Sequence, residues 1–166
     1  MDMEAIEALR NRRSVRVYES GKPIPRDSIE TIVDCGRLAA TARNIQPWEF
    51  VVVTEQAMLA KIADITEHGK HIAQAAACIA VFCLEGRYYV EDGSAATQNI
   101  MVAAHALGIG ACWVAGDKKA YADTLRDLLG APTSMKLVSL IPLGYPAQAP
   151  SPPKRSLEEV LHWERF

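Results

Sequence analysis

The segment AACIAVFCL, residues 76–84, constrains the fold of this chain more than any other stretch. It carries no charge, and apolar side chains occupy both positions of its two-residue alternation. A strand with two apolar faces is typical of the centre of a sheet that helices cover on both sides. The stretch is too short to cross a bilayer, which takes about 20 apolar residues in a helix. We therefore predict a layered fold around a central sheet, without membrane association.

Helical and strand patterns alternate on either side of this segment. Further strands are predicted over residues 48–54 and 136–146, and residues 110–116 are a short strand or a loop. Helices are predicted over residues 4–12, from an N-cap at Asp27 to near Ala40, and over residues 56–65, 92–107 and 118–129. No internal repeat is present, and few strands interleaved with helices exclude a helical bundle and an all-β sandwich. An α+β fold follows.

Length and composition fit one globular domain, residues 1–166. Apolar residues make up 49% and charged residues 23% of the chain, which is an ordinary globular balance. The net charge of −2 supplies no broad basic surface for nucleic acid, so we expect no such partner. The opening MDMEAIEALRNRR has no apolar run behind its charges and does not match a secretory signal. We expect a cytoplasmic protein.

Cysteines and histidines do not occur at metal-binding spacings. The four cysteines lack the close pairs of zinc or dithiol sites, and we expect buried, reduced thiols. His68 and His71 are three residues apart and could share a helical face, but no third type of ligand lies nearby in the sequence. We therefore predict no metal site.

The segment NRRSVR directly follows the first predicted helix and places four hydrogen-bond donors within five residues. These donors are Arg12, Arg13, Ser14 and Arg16. Guanidinium and hydroxyl groups at this density can converge on a phosphate. Basic residues at a helix end are also commonly solvated, where they interact favourably with the helix dipole. The segment alone leaves both interpretations open.

Two further segments favour the phosphate interpretation. TARNIQPWEF places a polar pair, Asn44 and Gln46, before a proline and a strand, and LGIGACWVAG follows the fourth predicted helix. With NRRSVR, these segments resemble the nitroreductase family of FMN-dependent oxidoreductases, over nearly the whole chain. GIGACW is a poor dinucleotide fingerprint, because it lacks the third glycine and does not open a helix.

The resemblance implies an FMN site. The basic segment would hold the FMN phosphate and part of the ribityl chain, TARNIQPWEF would border the flavin, and LGIGACWVAG would lie under its ring. The residues carried over are Arg12, Arg13, Ser14, Arg16, Asn44, Gln46, Trp113, Val114, Ala115 and Gly116, with Lys154 and Arg155 returning to the phosphate near the C-terminus. Gly116 is the candidate for donating a backbone N–H to flavin N5, because a residue without Cβ lets the backbone approach closely.

The resemblance also implies the architecture and the assembly. It predicts a nitroreductase-like α+β fold with a central, mostly antiparallel sheet flanked by helices. It further implies a homodimer with FMN at the interface. The proline-rich segment PAQAPSPPKR and the apolar pattern after it would form a C-terminal arm that is exchanged between subunits. The alternative is an arm that folds on its own subunit.

The reaction implied by the resemblance is a ping-pong transfer of hydride from NAD(P)H, through FMN, to a small electrophile. Nitroaromatics, quinones and enones all remain open, because the stretch EGRYYVED is short where larger family members wall the substrate pocket. No catalytic side chain is assigned, since solvent can supply protons. Tyr88 and Tyr89 either cover the flavin or cap a strand end. The alternative function is an FMN-binding module for flavin storage or redox sensing, without turnover.

Overall fold

The computed structural model of the protein describes residues 4–166. Its helices are α1 (Ala5–Asn11), α2 (Arg26–Arg37), α3 (Gln56–Ile65), α4 (Tyr89–Ala106) and α5 (Ala122–Leu128). Its strands are β1 (Trp48–Val53), β2 (Ala77–Leu84), β3 (Gly110–Ala111), β4 (Val114–Ala115) and β5 (Met135–Gly144). Short 3-10 helices span Ala42–Asn44 and Lys70–Gln74.

All five strands form one antiparallel sheet with β2 and β5 at its centre. The order is β1-β2-β5-β3, and β4 also pairs with β5. Because β2 occupies one side of β5, β3 and β4 follow each other along the other side. The central position of residues 76–84 and the antiparallel α+β fold are confirmed.

The alternation of β2 divides the core into two halves. Ala77, Ile79, Val81 and Cys83 pack against α2 and α4, whereas Cys78, Ala80 and Phe82 pack against α3 and α5. Every residue of β2 except Leu84 is buried, as the two apolar faces predict. The result is a sheet between two helical layers.

Helix boundaries differ from the predicted ones at several ends. The predicted N-cap at Asp27 is wrong, because α2 begins at Arg26 directly after Pro25 and Asp27 lies in its first turn. The helix also ends at Arg37 rather than near Ala40. α4 begins three residues earlier than predicted, and α5 begins four residues later.

Three of the four cysteines are buried as predicted, and Cys35 is half-buried. All four are free thiols. Burial raises the pKa of Cys78 and of Cys83 to about 12, because a thiolate is disfavoured in an apolar core.

The sheet separates the segments singled out from the sequence. The basic segment runs beside β3, where Ser14 forms a parallel bridge with Ala111 and the Val15 N–H donates to the Ala111 carbonyl at 2.9 Å. Residues 41–47 precede β1 at the opposite edge. Residues 146–166 are exposed throughout and contain neither α-helix nor extended strand. Within residues 4–166, no helix is both long and apolar enough to cross a membrane.

Candidate functional site

The basic segment directs its donors to two sides. Side chains alternate along an extended backbone, so positions 12, 14 and 16 share a side that position 13 does not. Arg12, Ser14 and Arg16 all lie near the Cys112 thiol: burial raises the pKa of that thiol, and these three groups oppose the rise. The Arg13 Nη1 donates instead to the carbonyls of Arg10 and Arg12, each at 2.8 Å. Arg13 thus caps the end of α1.

Arg12 lacks a partner in a half-buried position. Its Nη1 is buried without a hydrogen bond to any described residue. Burial, and then the neighbouring Arg13, lower the pKa of the Arg12 guanidinium. Among the ion pairs between residues 4–166, none includes Arg12, Arg13 or Arg16. Clustered guanidinium groups without a carboxylate are complementary to an anion, above all a phosphate.

A cavity of about 260 Å³ opens between the basic segment and β4. Its lining includes Arg16, His71, Trp113, Ala115, Lys119 and Tyr121. The Nε2 of His71 is buried and makes no hydrogen bond to a described residue. Burial, followed by the charge of Arg16, lowers the pKa of His71, so the imidazole is neutral at pH 7. The cavity therefore offers both cationic and neutral donors beside a strand edge.

The backbone of β4 contradicts the role predicted for the Gly116 amide. The Gly116 N–H donates to the Val138 carbonyl at 3.0 Å and is not free. A Cβ at this position would lie 2.6 Å from the Leu137 Cγ and 2.8 Å from the Leu137 carbonyl oxygen. The glycine is needed for the close approach of β5, so the prediction that its amide faces flavin N5 is wrong.

The alternation of the ladder makes Ala115 the better donor. Hydrogen-bonded and non-hydrogen-bonded pairs alternate in an antiparallel ladder. Since Gly116 bonds to Val138, Ala115 and its partner Ser139 form a non-hydrogen-bonded pair. The Ala115 N–H consequently points away from β5, on the side of the sheet edge that carries the cavity.

Two tyrosine hydroxyls fix the backbone around β4. The Tyr121 hydroxyl donates to the Ala115 carbonyl. The Tyr89 hydroxyl donates to Asp117 Oδ1 at 2.6 Å, and this hydrogen bond is the main reason why the pKa of Tyr89 rises to about 12. Tyr89 begins α4 and anchors Asp117. Tyr88 precedes the helix and is exposed.

Asn44 and Gln46 lie at the other edge of the sheet. Both are exposed, in the loop that leads into β1. Strands β2 and β5 separate β1 from β4, which at the usual spacing between strands is a distance of about 14 Å. A single chain therefore does not bring this loop to the basic segment.

Comparison with known proteins decides the family. The sequence model of the nitroreductase family matches residues 9–82 and 85–145. The chain belongs to the nitroreductase family.

Three proteins similar to this nitroreductase-family chain match most or all of its length. A protein of Archaeoglobus fulgidus with the name NADH dehydrogenase/NAD(P)H nitroreductase is 38% identical over 151 residues, 86% of each chain. A solved structure of the same name from Bacteroides thetaiotaomicron is 30% identical, with a TM-score of 0.93 and full coverage of both chains. A nitroreductase of Desulfovibrio desulfuricans, solved in complex with FMN, is also 30% identical, with a TM-score of 0.87 and coverage of 100% and 99%.

The C-terminal arm of this family member begins beside the basic segment, since the Ala147 N–H donates to the Val17 carbonyl at 3.0 Å. No hydrogen bond between described residues joins Lys154 or Arg155 to that segment. The Arg155 Nη2 donates to the Glu159 carbonyl at 2.6 Å, within the arm itself, and Lys154 is exposed. The arm also exposes its large apolar side chains, Leu157, Val160, Leu161, Trp163 and Phe166. The roles predicted for Lys154 and Arg155 remain predictions.

Sequence reasoning missed two residues that line the cavity of this nitroreductase-family chain, and a third whose hydrogen bonds reach the loop at residues 41–47. His71 was considered only as a metal ligand, yet it lines the cavity beside Arg16. Tyr121 and Asp92 were not singled out. For Asp92 the available signal was an aspartate near the start of a largely apolar helix, because a carboxylate that such a helix buries must find donors elsewhere.

Proposed function

We propose that this chain is an FMN-dependent oxidoreductase that transfers hydride from NAD(P)H to a small electrophile, with residues 1–166 forming one FMN-binding domain. The observation that carries the proposal is the half-buried Arg12 without a partner, on the same side of the basic segment as Ser14 and Arg16. Membership of the nitroreductase family supports the same conclusion.

The residues present fit the phosphate of FMN. FMN carries about two negative charges at neutral pH, as phosphate monoesters do. Arg12, Ser14 and Arg16 supply two cations and a hydroxyl, and a bound phosphate would give the orphaned Arg12 Nη1 a partner. Arg13 contributes by holding the end of α1, and its charge adds to the local positive potential.

The segment from Trp113 to Gly116 fits the ring of the cofactor. Bound FMN supplies a ring that accepts hydride at N5 and returns it to an acceptor. The Ala115 N–H is the donor available to flavin N5. Trp113 and Val114 line the cavity, and Gly116 allows β4 to pack closely against β5. The Tyr121 hydroxyl holds the Ala115 peptide in place. Arg16 and His71 add donors at the cavity wall.

The site is completed by a second copy of the chain. Asn44 and Gln46 precede β1, which at the usual spacing between strands lies about 14 Å from β4 across the sheet of the same chain. A homodimer with exchanged C-terminal arms would bring this loop to the partner's cavity and cover the five exposed apolar side chains of the arm. Exposed apolar groups at this density are typical of an interface. Lys154 and Arg155 would then reach the phosphate.

The acceptor is a small, planar electrophile such as a nitroaromatic, a quinone or an enone, and either NADH or NADPH serves as the reductant. The proposal is tested by loading the protein with FMN and following NADH and NADPH oxidation with menadione or a nitrofuran. Oxidation that depends on the acceptor supports the enzyme. Bound FMN without such oxidation would indicate a flavin-storage or redox-sensing module instead.

A further inference from the structure

A buried carboxylate on α4 is bonded to the loop that carries Asn44 and Gln46. Asp92 is 6% exposed. Its Oδ1 accepts the backbone N–H of Ala42 and its Oδ2 accepts the hydroxyl of Thr41, each at 3.0 Å. A buried carboxylate needs such donors, because burying an unpaired charge is strongly unfavourable. The two bonds tie the start of the loop to an 18-residue helix in the core.

Thr41 extends this constraint to the end of the loop. Its Oγ1, which donates to Asp92, also accepts the backbone N–H of Gln46 at 3.1 Å. One hydroxyl group thus joins residue 46 to the carboxylate on α4. Two backbone hydrogen bonds inside the loop add to these contacts, from the Asn44 N–H to the Thr41 carbonyl at 3.2 Å and from the Ile45 N–H to the Ala42 carbonyl at 3.1 Å.

The backbone between these ends is in an unfavourable conformation. Arg43, Asn44 and Gln46 have φ angles of 55°, 58° and 52°, in the left-handed region. That region disfavours residues with a Cβ, and asparagine tolerates it best. Such conformations persist only where the surrounding structure enforces them. The four side chains from Arg43 to Gln46 are exposed, so apolar packing of those side chains does not supply the restraint.

The conformation of the loop also shapes a cavity. Between the loop and the start of α4 lies a space of about 170 Å³, lined by Arg43, Ile45, Pro47, Leu84 and Tyr88, among others. A change in the loop backbone would therefore alter both the presentation of Asn44 and Gln46 and the walls of this cavity.

We propose that Asp92 is a positioning residue, which acts through Thr41 and Ala42 to hold residues 41–47 in the conformation that borders the flavin. The inference rests on the proposed function, since the loop meets a flavin only if the protein binds one. Asp92 itself touches neither cofactor nor substrate in this assignment. A loop that is held in its binding conformation before the ligand arrives loses little conformational entropy on binding, so the ligand binds more tightly.

The test compares Thr41→Val, Asp92→Leu and Asp92→Asn with the wild type. Thr41→Val removes the bridging hydroxyl, and Asp92→Leu removes both carboxylate acceptors. Each variant keeps the approximate size of the original side chain. Asp92→Asn keeps an acceptor for the Ala42 N–H but places an NH2 donor where an oxygen accepts the Thr41 hydroxyl, so it should lie between the wild type and Asp92→Leu. Thr31→Val is the matched control, because the Thr31 hydroxyl is exposed and donates only to the Asp27 carbonyl at 2.8 Å.

The readouts are hydrogen exchange of the Gln46 amide, the Kd for FMN, and KM and kcat measured separately. For Thr41→Val and Asp92→Leu we expect exchange to accelerate, and the Kd for FMN and the KM for menadione to rise about tenfold, as the loss of one hydrogen bond implies. We expect kcat to stay within about twofold of the wild type, since no step of the reaction uses Asp92. Thr41→Val serves as the decisive variant if Asp92→Leu does not fold.

The outcomes separate this inference from the proposed function. If the wild type does not bind FMN, the proposed function fails, whereas the exchange data still report whether Asp92 holds the loop. If the wild type binds FMN and Thr41→Val changes neither exchange nor the Kd, the inference is overturned. Faster exchange with an unchanged Kd and KM would also overturn it, because the clamp would then serve stability alone.

Discussion

Replacing Arg12 by Met should weaken FMN binding without destabilising the protein that has no cofactor. The Met side chain keeps much of the apolar stem and removes a half-buried guanidinium whose Nη1 has no partner among the described residues. A hydrogen bond to a charged group contributes about 1.5–3 kcal/mol, so the Kd for FMN should rise roughly 10- to 150-fold. Without FMN, the free energy of unfolding should stay the same or rise, because an unpaired charge leaves a partly buried position.

Fluorescence titration with FMN and urea unfolding without FMN measure the two effects. Arg26→Met is the matched control, because the Arg26 side chain is 88% exposed and pairs with Glu30 at 2.8 Å on the surface of α2. The control should bind FMN as the wild type does. An unchanged Kd for Arg12→Met would refute the phosphate role. A clear loss of stability without FMN would show that Arg12 serves the fold instead.

Three further expectations concern packing, pH and assembly. Gly116→Ala should lower the free energy of unfolding, measured in urea, by about 1–3 kcal/mol, because the added Cβ meets the Leu137 backbone. Gly86→Ala is the control and should be neutral, because a Cβ there would lie 3.9 Å from its nearest neighbour. Burial lowers the pKa of His71 and of His105 in the folded protein, so the unfolded chain takes up protons at a higher pH than the folded one. The free energy of unfolding should therefore fall as pH decreases below about 6.5. His105→Gln should reduce this pH dependence, and a pH profile identical to that of the wild type would contradict the expectation. Deletion of residues 151–166 should convert a dimer into a monomer in sedimentation experiments, and a deletion variant that stays dimeric would remove the role of the arm.

The layers of the fold could be predicted from the sequence because their signals are local. The two apolar faces of residues 76–84 required a central strand, and Ala96, Ile100 and Ala104 recur at helical spacing on α4 and are buried. The helix ends were predicted less accurately. The start of α2 is set by Pro25, and the start of α4 coincides with Tyr89, whose hydroxyl donates to the distant Asp117.

The details of the site depended on long-range pairing that the sequence does not display. The register of β4 on β5 commits the Gly116 amide to Val138 and leaves that of Ala115 free. The separation of Asn44 from the basic segment follows from the strand order, which no local pattern encodes. Asp92 acts through residues about 50 positions away along the chain.

Equilibrium titration of the purified wild-type chain with FMN, followed by flavin fluorescence, tests the central claim most directly. Two cations and a hydroxyl around one phosphate predict saturable binding of one FMN per chain, with a Kd below about 1 µM, equivalent to roughly 8 kcal/mol. Binding should weaken as inorganic phosphate is added. FMN fluorescence identical to that of free FMN at every concentration up to about 100 µM, roughly 5.5 kcal/mol, would contradict the account.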